Sequence, residues 1–247
     1  MPLVDAEAII LRTAPLGEAD KLVSFLARGF GRLQGVAHGA RRPRNRWGAV
    51  LEPLSHVRLW FFDHEHRQLL RLSQAELIEC FWQTQGDYAR TVALNHLAEV
   101  CERLLPERQP SERTFRLILM VLAALKVGRE PWLPLCYFYI WMVRLAGILP
   151  LLNRCSKCER ELSEEASYVT AVRPGIFCRR CRQPGMHSIS AGSRRLGLDL
   201  LAHPLTRLDS TPCTKGETAD LRNYLLDVIE HHTERRLLTR ELLNGLE

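Results

Sequence analysis

The chain has 247 residues, 46% hydrophobic and 25% charged, the proportions of a globular protein built as one large domain or two small ones. That excludes a disordered tail and a fibre. With 34 basic against 28 acidic residues the net charge is +6, which permits a nucleic acid or an anionic surface as partner without selecting one. Lys21, Lys126, Lys157 and Lys215 are the only lysines, so the basic set is almost all arginine. Arginine's planar fork suits phosphate and stacked bases, although a GC-rich coding sequence enriches it equally well.

The first residues, Met1 to Glu7, carry acids where a signal peptide would carry lysines. The most apolar stretch, Trp132 to Leu152, contains Arg144, Pro134 and Pro150 and reads as a buried helix, not a membrane span. A cytoplasmic protein without a membrane is expected, and in that compartment eight cysteines are not a disulfide framework.

From Ala6 to Glu79 short apolar runs alternate with Gly and Pro. Residues 8–11, 22–26, 33–37, 56–62 and 69–72 read as five strands. Five short strands in about eighty residues suit a small closed barrel. An OB-fold leads, with an SH3-like barrel or a curved sheet as alternatives. From Tyr88 the period becomes helical: Val92, Leu94, Leu97, Ala98, Cys101, Leu104 and Leu105 recur until Pro106. Further helices are expected over 115–127 (ended by Gly128), 132–148, 190–201 and 218–246, with Ser190 in an N-cap region. The expected architecture is α+β: an OB-fold over residues 1–82, a helical domain over 83–152 and 188–247, and a four-cysteine insertion over 153–187.

Cys155-Ser156-Lys157-Cys158 and Cys178-Arg179-Arg180-Cys181 form two C-x-x-C pairs nineteen residues apart. This is zinc-ribbon spacing, in which each pair supplies half of a closed tetrahedral site for one structural Zn2+. Residues 166–170 read as a strand of the small hairpin between them. Arg154, Lys157, Arg179, Arg180 and Arg182 would offset the thiolate charge. The rival is a redox-active pair, which normally follows a βαβ pattern that this sequence lacks. Cys80, Cys101, Cys136 and Cys213 stand alone, and Cys101 and Cys136 fit helix core positions.

Between Lys21 and Arg46 lie seven cations and no acid: Lys21, Arg28, Arg32, Arg41, Arg42, Arg44 and Arg46, with His38 among them. Single-stranded nucleic acid needs a cationic groove and aromatic faces for stacking. Trp47, Trp60, Phe61 and Phe62 are candidate faces, with a barrel core as the alternative for the last three. Arg41, Arg42, Arg44 and Arg46 are expected to fan into solvent from a turn held by Pro43 and Gly48, because burying four unpaired arginines is prohibitive. No catalytic arrangement is found: there is no Walker lysine motif, no Gly-x-Ser-x-Gly and no His-Glu-x-x-His. Asp63-His64-Glu65-His66 reads as a polar hairpin turn, with metal capture as the lesser alternative. Glu18 and Asp20 read as solvated charges on a turn.

The order of parts resembles the bacterial recombination mediator RecO family over nearly the whole chain. The residues that carry the resemblance are 8–12 (Ala-Ile-Ile-Leu-Arg), 16–23 (Leu-Gly-Glu-Ala-Asp-Lys-Leu-Val), 31–33, 36–42 (Val-Ala-His-Gly-Ala-Arg-Arg), the cysteine pairs after Leu149-Pro150, and 235–240. Two departures stand out. Many relatives place glycine where this chain has Glu159, and leucine-lysine-serine where it has Leu237-Leu238-Thr239. The resemblance implies an OB-fold, a helical domain and a zinc ribbon, and a non-enzymatic role in DNA repair by the RecF pathway. It implies binding of single- and double-stranded DNA, annealing of complementary strands, and, with RecR, loading of RecA onto DNA coated with single-stranded-DNA-binding protein. It also implies a nucleoid-associated location and a pocket for the acidic, phenylalanine-ended tail of that coating protein, for which Phe115, Arg116, Leu119, Leu122, Arg129 and Arg144 are candidates. Two other readings are a zinc-ribbon RNA- or protein-binding module of the transcription or translation machinery, and a C-x-x-C thiol oxidoreductase.

Overall fold

The computed structural model describes residues 2–63, 68–81, 87–127, 130–210 and 213–245. The chain forms two compact units, Met1–Lys126 with Leu237–Glu247, and Val127–Arg236.

The first unit opens with five strands, β1 (Leu3–Leu16), β2 (Asp20–Ala27), β3 (Gly31–Ala37), β4 (His56–Phe62) and β5 (Leu69–Glu79). They close into a barrel in the order β1-β2-β3-β5-β4, with antiparallel ladders throughout except β3 against β5, which are parallel over Gln34–Val36 and Leu69–Arg71. This is the expected OB-like barrel. Alternate side chains point inward, as the two-residue period of a strand dictates. Ile10, Val23, Phe25, Leu33, Leu59, Phe61 and Leu72 fill the interior, and Phe61 packs against both Phe25 and Phe30 with ring centroids 5.7 and 5.4 Å away. β5 runs seven residues beyond the expected Leu72. Its second half, from Ser73 to Glu79, is mostly exposed and has no apolar stripe; its ladder with β4 holds it extended.

Two helices belong to the same unit. α1 (Tyr88–Leu104) starts where the Asp87 carboxylate accepts from the Arg90 N–H at 3.0 Å. α2 (Glu112–Val127) starts three residues before the expected Phe115, because Ser111 accepts from the Thr114 N–H. Gly31, at positive φ, lets the chain after α1 lie on β3: a Cβ there would sit 2.5 Å from the Gln109 carbonyl oxygen, and the Arg108 N–H donates to the Arg32 carbonyl at 3.0 Å.

The second unit holds α3 (Trp132–Leu145), a hairpin of β6 (Ser167–Val169) and β7 (His187–Ile189), α4 (Ala191–Ala202) and α5 (Lys215–Thr233). Pro134 is tolerated because it lies in the first turn of α3, where N–H groups have no intrahelical partner. Ser190 caps α4 as expected, accepting from the Ser193 N–H at 2.9 Å. Thr214 and Glu217 form a capping box on α5.

Two expectations are corrected here. The single helix expected over 218–246 is two: α5 ends at Glu234, which adopts a left-handed conformation (φ 53°), and α6 (Arg240–Asn244) follows a turn. In that turn the Glu99 carboxylate of α1 accepts from the N–H groups of Leu238 and Thr239, each at 2.9 Å, and from the Thr239 hydroxyl at 2.7 Å. Those bonds satisfy donors that a continuous helix would have turned back on itself. The helices also do not form one group. α1, α2 and α6 cluster with the barrel, and α3, α4 and α5 with the cysteine insertion. Helical periodicity shows that a face is buried and is silent on what buries it.

Candidate nucleic-acid interface and metal site

The chain between β3 and β4 is an eighteen-residue loop folded over three apolar anchors, Trp47, Leu51 and Leu54, all at most 2% exposed. The Trp47 indole N–H donates to the His38 carbonyl at 3.0 Å. The Asn45 side-chain oxygen accepts from the N–H groups of Trp47 and Gly48, and its amide donates to the Arg42 carbonyl at 2.9 Å, which is the local turn chemistry that asparagine provides. With the tryptophan turned in and the turn pinned, Arg41, Arg42, Arg44 and Arg46 are all exposed.

The loop is tied to the β1–β2 hairpin. The Asp20 carboxylate accepts from the Gly39 N–H at 2.8 Å and bonds His38 Nδ1 at 2.7 Å, and these contacts, the Gly39 amide foremost, hold its carboxyl below the usual range. The Arg41 guanidinium donates to the Gly17 carbonyl at 2.5 Å, and Arg46 lies over the Trp47 ring, 4.9 Å from its centroid. Lys21 on β2 joins this end of the barrel through its pairing with Ala37, and forms a 3.8 Å ion pair with Glu52.

Arg28 and Arg32 are placed differently. Lys21 lies near the start of β2 and Arg28 just past its end, seven residues on, roughly 23 Å at ~3.3 Å per residue. Arg28 is bound by Glu7 and Glu112 at 3.1 and 2.5 Å. Arg32 has a side chain only 13% exposed, pairs with Glu107 at 3.1 Å and donates to the Leu105 carbonyl at 2.8 Å. The seven cations between Lys21 and Arg46 therefore separate into an exposed arginine loop with Lys21 at one end and two ion-paired arginines at the other. Among the candidate stacking faces, Trp47 and Phe61 are core, while Trp60 and Phe62 are half-buried, with Arg71 over the Phe62 ring. Exposed Arg12 on β1 is a further cation that the clustering in sequence did not flag.

In the second unit the four expected cysteines meet. The Sγ atoms of Cys155, Cys158, Cys178 and Cys181 all lie within 4.8 Å of one another, and Cys158 and Cys178 are 3.8 Å apart. Sulfur ligands on the corners of a tetrahedron ~2.3 Å from a zinc are about 3.8 Å apart, so the donor set fits that ion. Each pair sits in a tight turn. The Cys155 N–H donates to the Arg160 carbonyl, the Glu159 N–H to the Cys155 carbonyl, and Glu159 adopts φ 58°. Burial pushes the Cys155 thiol up, yet amides of Cys178, Cys158 and Lys157 donate to it and together bring it down to about 6. Burial and hydrogen bonds with Cys158, Cys178 and Cys155 push Cys181 up to about 12.

Arg194 on α4 gave no signal in the sequence. It is 4% exposed, and its guanidinium donates to the carbonyls of Ser163 and Glu165, the latter at 3.1 Å, with Leu152 and Leu162 carbonyls at 3.5 Å. It ties the insertion to the helix. Cys101 and Cys136 are fully buried, and burial pushes both thiols up, Cys136 to about 12, so they pack as apolar groups.

Other expectations land as follows. His64 and His66 lie outside the described residues, as does Arg129. Phe115 and Leu122 are at most 1% exposed, with Phe115 against the His56 ring, so they are core and offer no open pocket for a peptide side chain. Arg144 lies over the Trp141 ring, 4.9 Å from its centroid. Among the described residues no helix is long and apolar enough to cross a membrane.

Two family models cover the chain: recombination protein O N terminal matches residues 1–81, and recombination protein O C terminal matches residues 85–241. The chain belongs to the RecO family. It is 39% identical to the DNA repair protein RecO of Koribacter versatilis, over 99% of this chain and 100% of that one. It is 32% identical to the DNA repair protein RecO of Symbiobacterium thermophilum, over 100% and 98% of the two chains. Identity to the DNA repair protein RecO of a Nocardioides strain is 37%, over 94% and 95%. The structure joins two of the stretches in which the RecO resemblance was read: residues 16–23 and 36–42 meet through Asp20, His38 and Gly39.

Proposed function

We propose that this RecO-family protein is a DNA-binding recombination mediator that acts without catalysis. The observation that carries the reading is the loop on an OB-like barrel in which Arg41, Arg42, Arg44 and Arg46 are all exposed while Trp47 anchors them from inside. Guanidinium groups held outward on a pinned loop meet phosphates regardless of sequence, as single- and double-stranded DNA and the annealing of complementary strands require. Lys21 extends this surface; Arg28 and Arg32, already bound to carboxylates, serve the packing of α1 and α2 more than the DNA. By the family's pattern in the RecF pathway, the protein works with RecR to load RecA onto DNA coated with single-stranded-DNA-binding protein. It recognises that protein's tail and sits with the nucleoid in the cytoplasm. One Zn2+ held by Cys155, Cys158, Cys178 and Cys181 stabilises the insertion. A site of four thiols at tetrahedral separations favours this over a redox dithiol.

The test is a salt titration of binding to single-stranded DNA. Changing Arg41, Arg42, Arg44 and Arg46 to Ala removes up to four phosphate contacts and should lower the salt slope by roughly 0.7 for each, with metal content unchanged. Arg32→Ala should lower stability and leave the slope alone. An unaltered slope in the quadruple variant at several salt concentrations overturns the loop assignment, and tighter binding to RNA of the same sequence favours the RNA-binding alternative.

A further inference from the structure

Arg160, Arg179 and Arg180 of the cysteine insertion line one cleft of about 390 Å³, shared with Ser163, Ala166 and Ser167. All three arginines are exposed, and none takes part in an ion pair among the described residues. Arg182 and Arg173, by contrast, lie over the rings of Tyr168 and Phe177. Ser163 and Glu165 border the cleft and give their carbonyl oxygens to buried Arg194, while neighbouring Glu164 is taken by Arg195 at 2.6 Å. Those carbonyls, which would repel an anion, are committed behind the wall. Three guanidinium groups thus line the cleft against the carboxylates of Glu161 and Glu165 that also border it, with buried Arg194 behind its backbone.

We propose that this cleft binds the phosphodiester backbone of single-stranded DNA, as a phosphate site additional to the 41–46 loop. The proposal rests on the DNA-binding reading above. Arginine forks bind phosphate oxygens in charge-assisted pairs, and the cleft offers three that form no ion pair among the described residues.

The experiment uses the zinc-loaded full chain and a single-stranded oligothymidylate. Changing Arg160, Arg179 and Arg180 to Ala should lower the salt slope by about 2 and weaken binding about 100-fold at 0.1 M salt, at ~0.7 in slope for each contact. Zinc content is measured on the same samples. If the parent binds and the variant keeps the parent's slope, the arginines only balance thiolate charge. The cleft is then overturned while the DNA reading stands. If the parent itself does not bind, the DNA reading falls and the site falls with it. Should the variant lose zinc, the side-chain N–H resonances of the three arginines in the parent decide: they should move on addition of the oligonucleotide, and stationary resonances overturn the proposal.

Discussion

Arg194 donates to the carbonyl oxygen of Glu165 at 3.1 Å from a side chain only 4% exposed, and in doing so joins α4 to the loop between the two cysteine pairs. The same guanidinium holds the Ser163 carbonyl. Burial lowers its pKa, as it does for any cation taken from water. Arg194→Met would strand those carbonyls and should cost about 3 kcal/mol, at ~1.5 kcal/mol or more for each hydrogen bond to a charged group. Denaturant unfolding of the zinc-loaded protein measures the cost, and a chelator assay should show faster metal release. Release at the parent's rate would mean that the insertion is held by its metal alone.

Gly31 and Gly17 both have positive φ, but only Gly31 is crowded. Gly17→Ala should cost about 1 kcal/mol, the strain of a left-handed alanine. Gly31→Ala adds a collision with the Gln109 backbone and should cost about 3 kcal/mol. Comparing unfolding free energies of the two variants checks this; equal losses would show that the 105–110 segment yields.

Glu159 occupies a left-handed position (φ 58°), a conformation that glycine adopts without strain. Glu159→Gly relieves ~1 kcal/mol of strain and returns ~0.5 kcal/mol or more as chain entropy. The expected result is a small gain in stability, up to about 0.5 kcal/mol, with zinc stoichiometry unchanged. A clear loss on thermal unfolding would show that the Glu159 side chain stabilises the turn.

Burial of His56 lowers its pKa from 6.5, against the opposing pull of Glu7 at 3.4 Å. A base with a lowered folded-state pKa takes up its proton more readily when unfolded, so its contribution to stability is present above pH 6.5 and is lost as pH falls below it. The carboxyls held low by their partners, Asp20, Glu99 and Glu112, lose their contribution only below about pH 4.5, the ordinary glutamate value. Between pH 7.5 and 5.5 the parent should therefore lose more stability than His56→Gln. Parallel curves would remove His56 as the cause.

The sequence by itself determined the five strands, the cap at Ser190 and the four cysteines, because each rests on short-range physics: a two-residue period, a side chain reaching its own backbone, ligands with two residues between them. It also placed four arginines on an exposed turn, since burying them was prohibitive. Tertiary structure decided the rest. Whether an arginine stays available depends on which carboxylate the fold brings to it. Glu7, Glu107 and Glu112 reach Arg28 and Arg32 from positions 21 to 84 residues away in the chain, while among the described residues no acid pairs with Arg44 or Arg46. The same holds for Arg194, unmarked in the sequence until the carbonyls of Leu152, Leu162, Ser163 and Glu165 close over it, and for the end of α5, where Glu99 captures backbone donors 139 and 140 residues ahead. Pairings at such separations leave no mark on local periodicity, because they are satisfied only once the chain has folded.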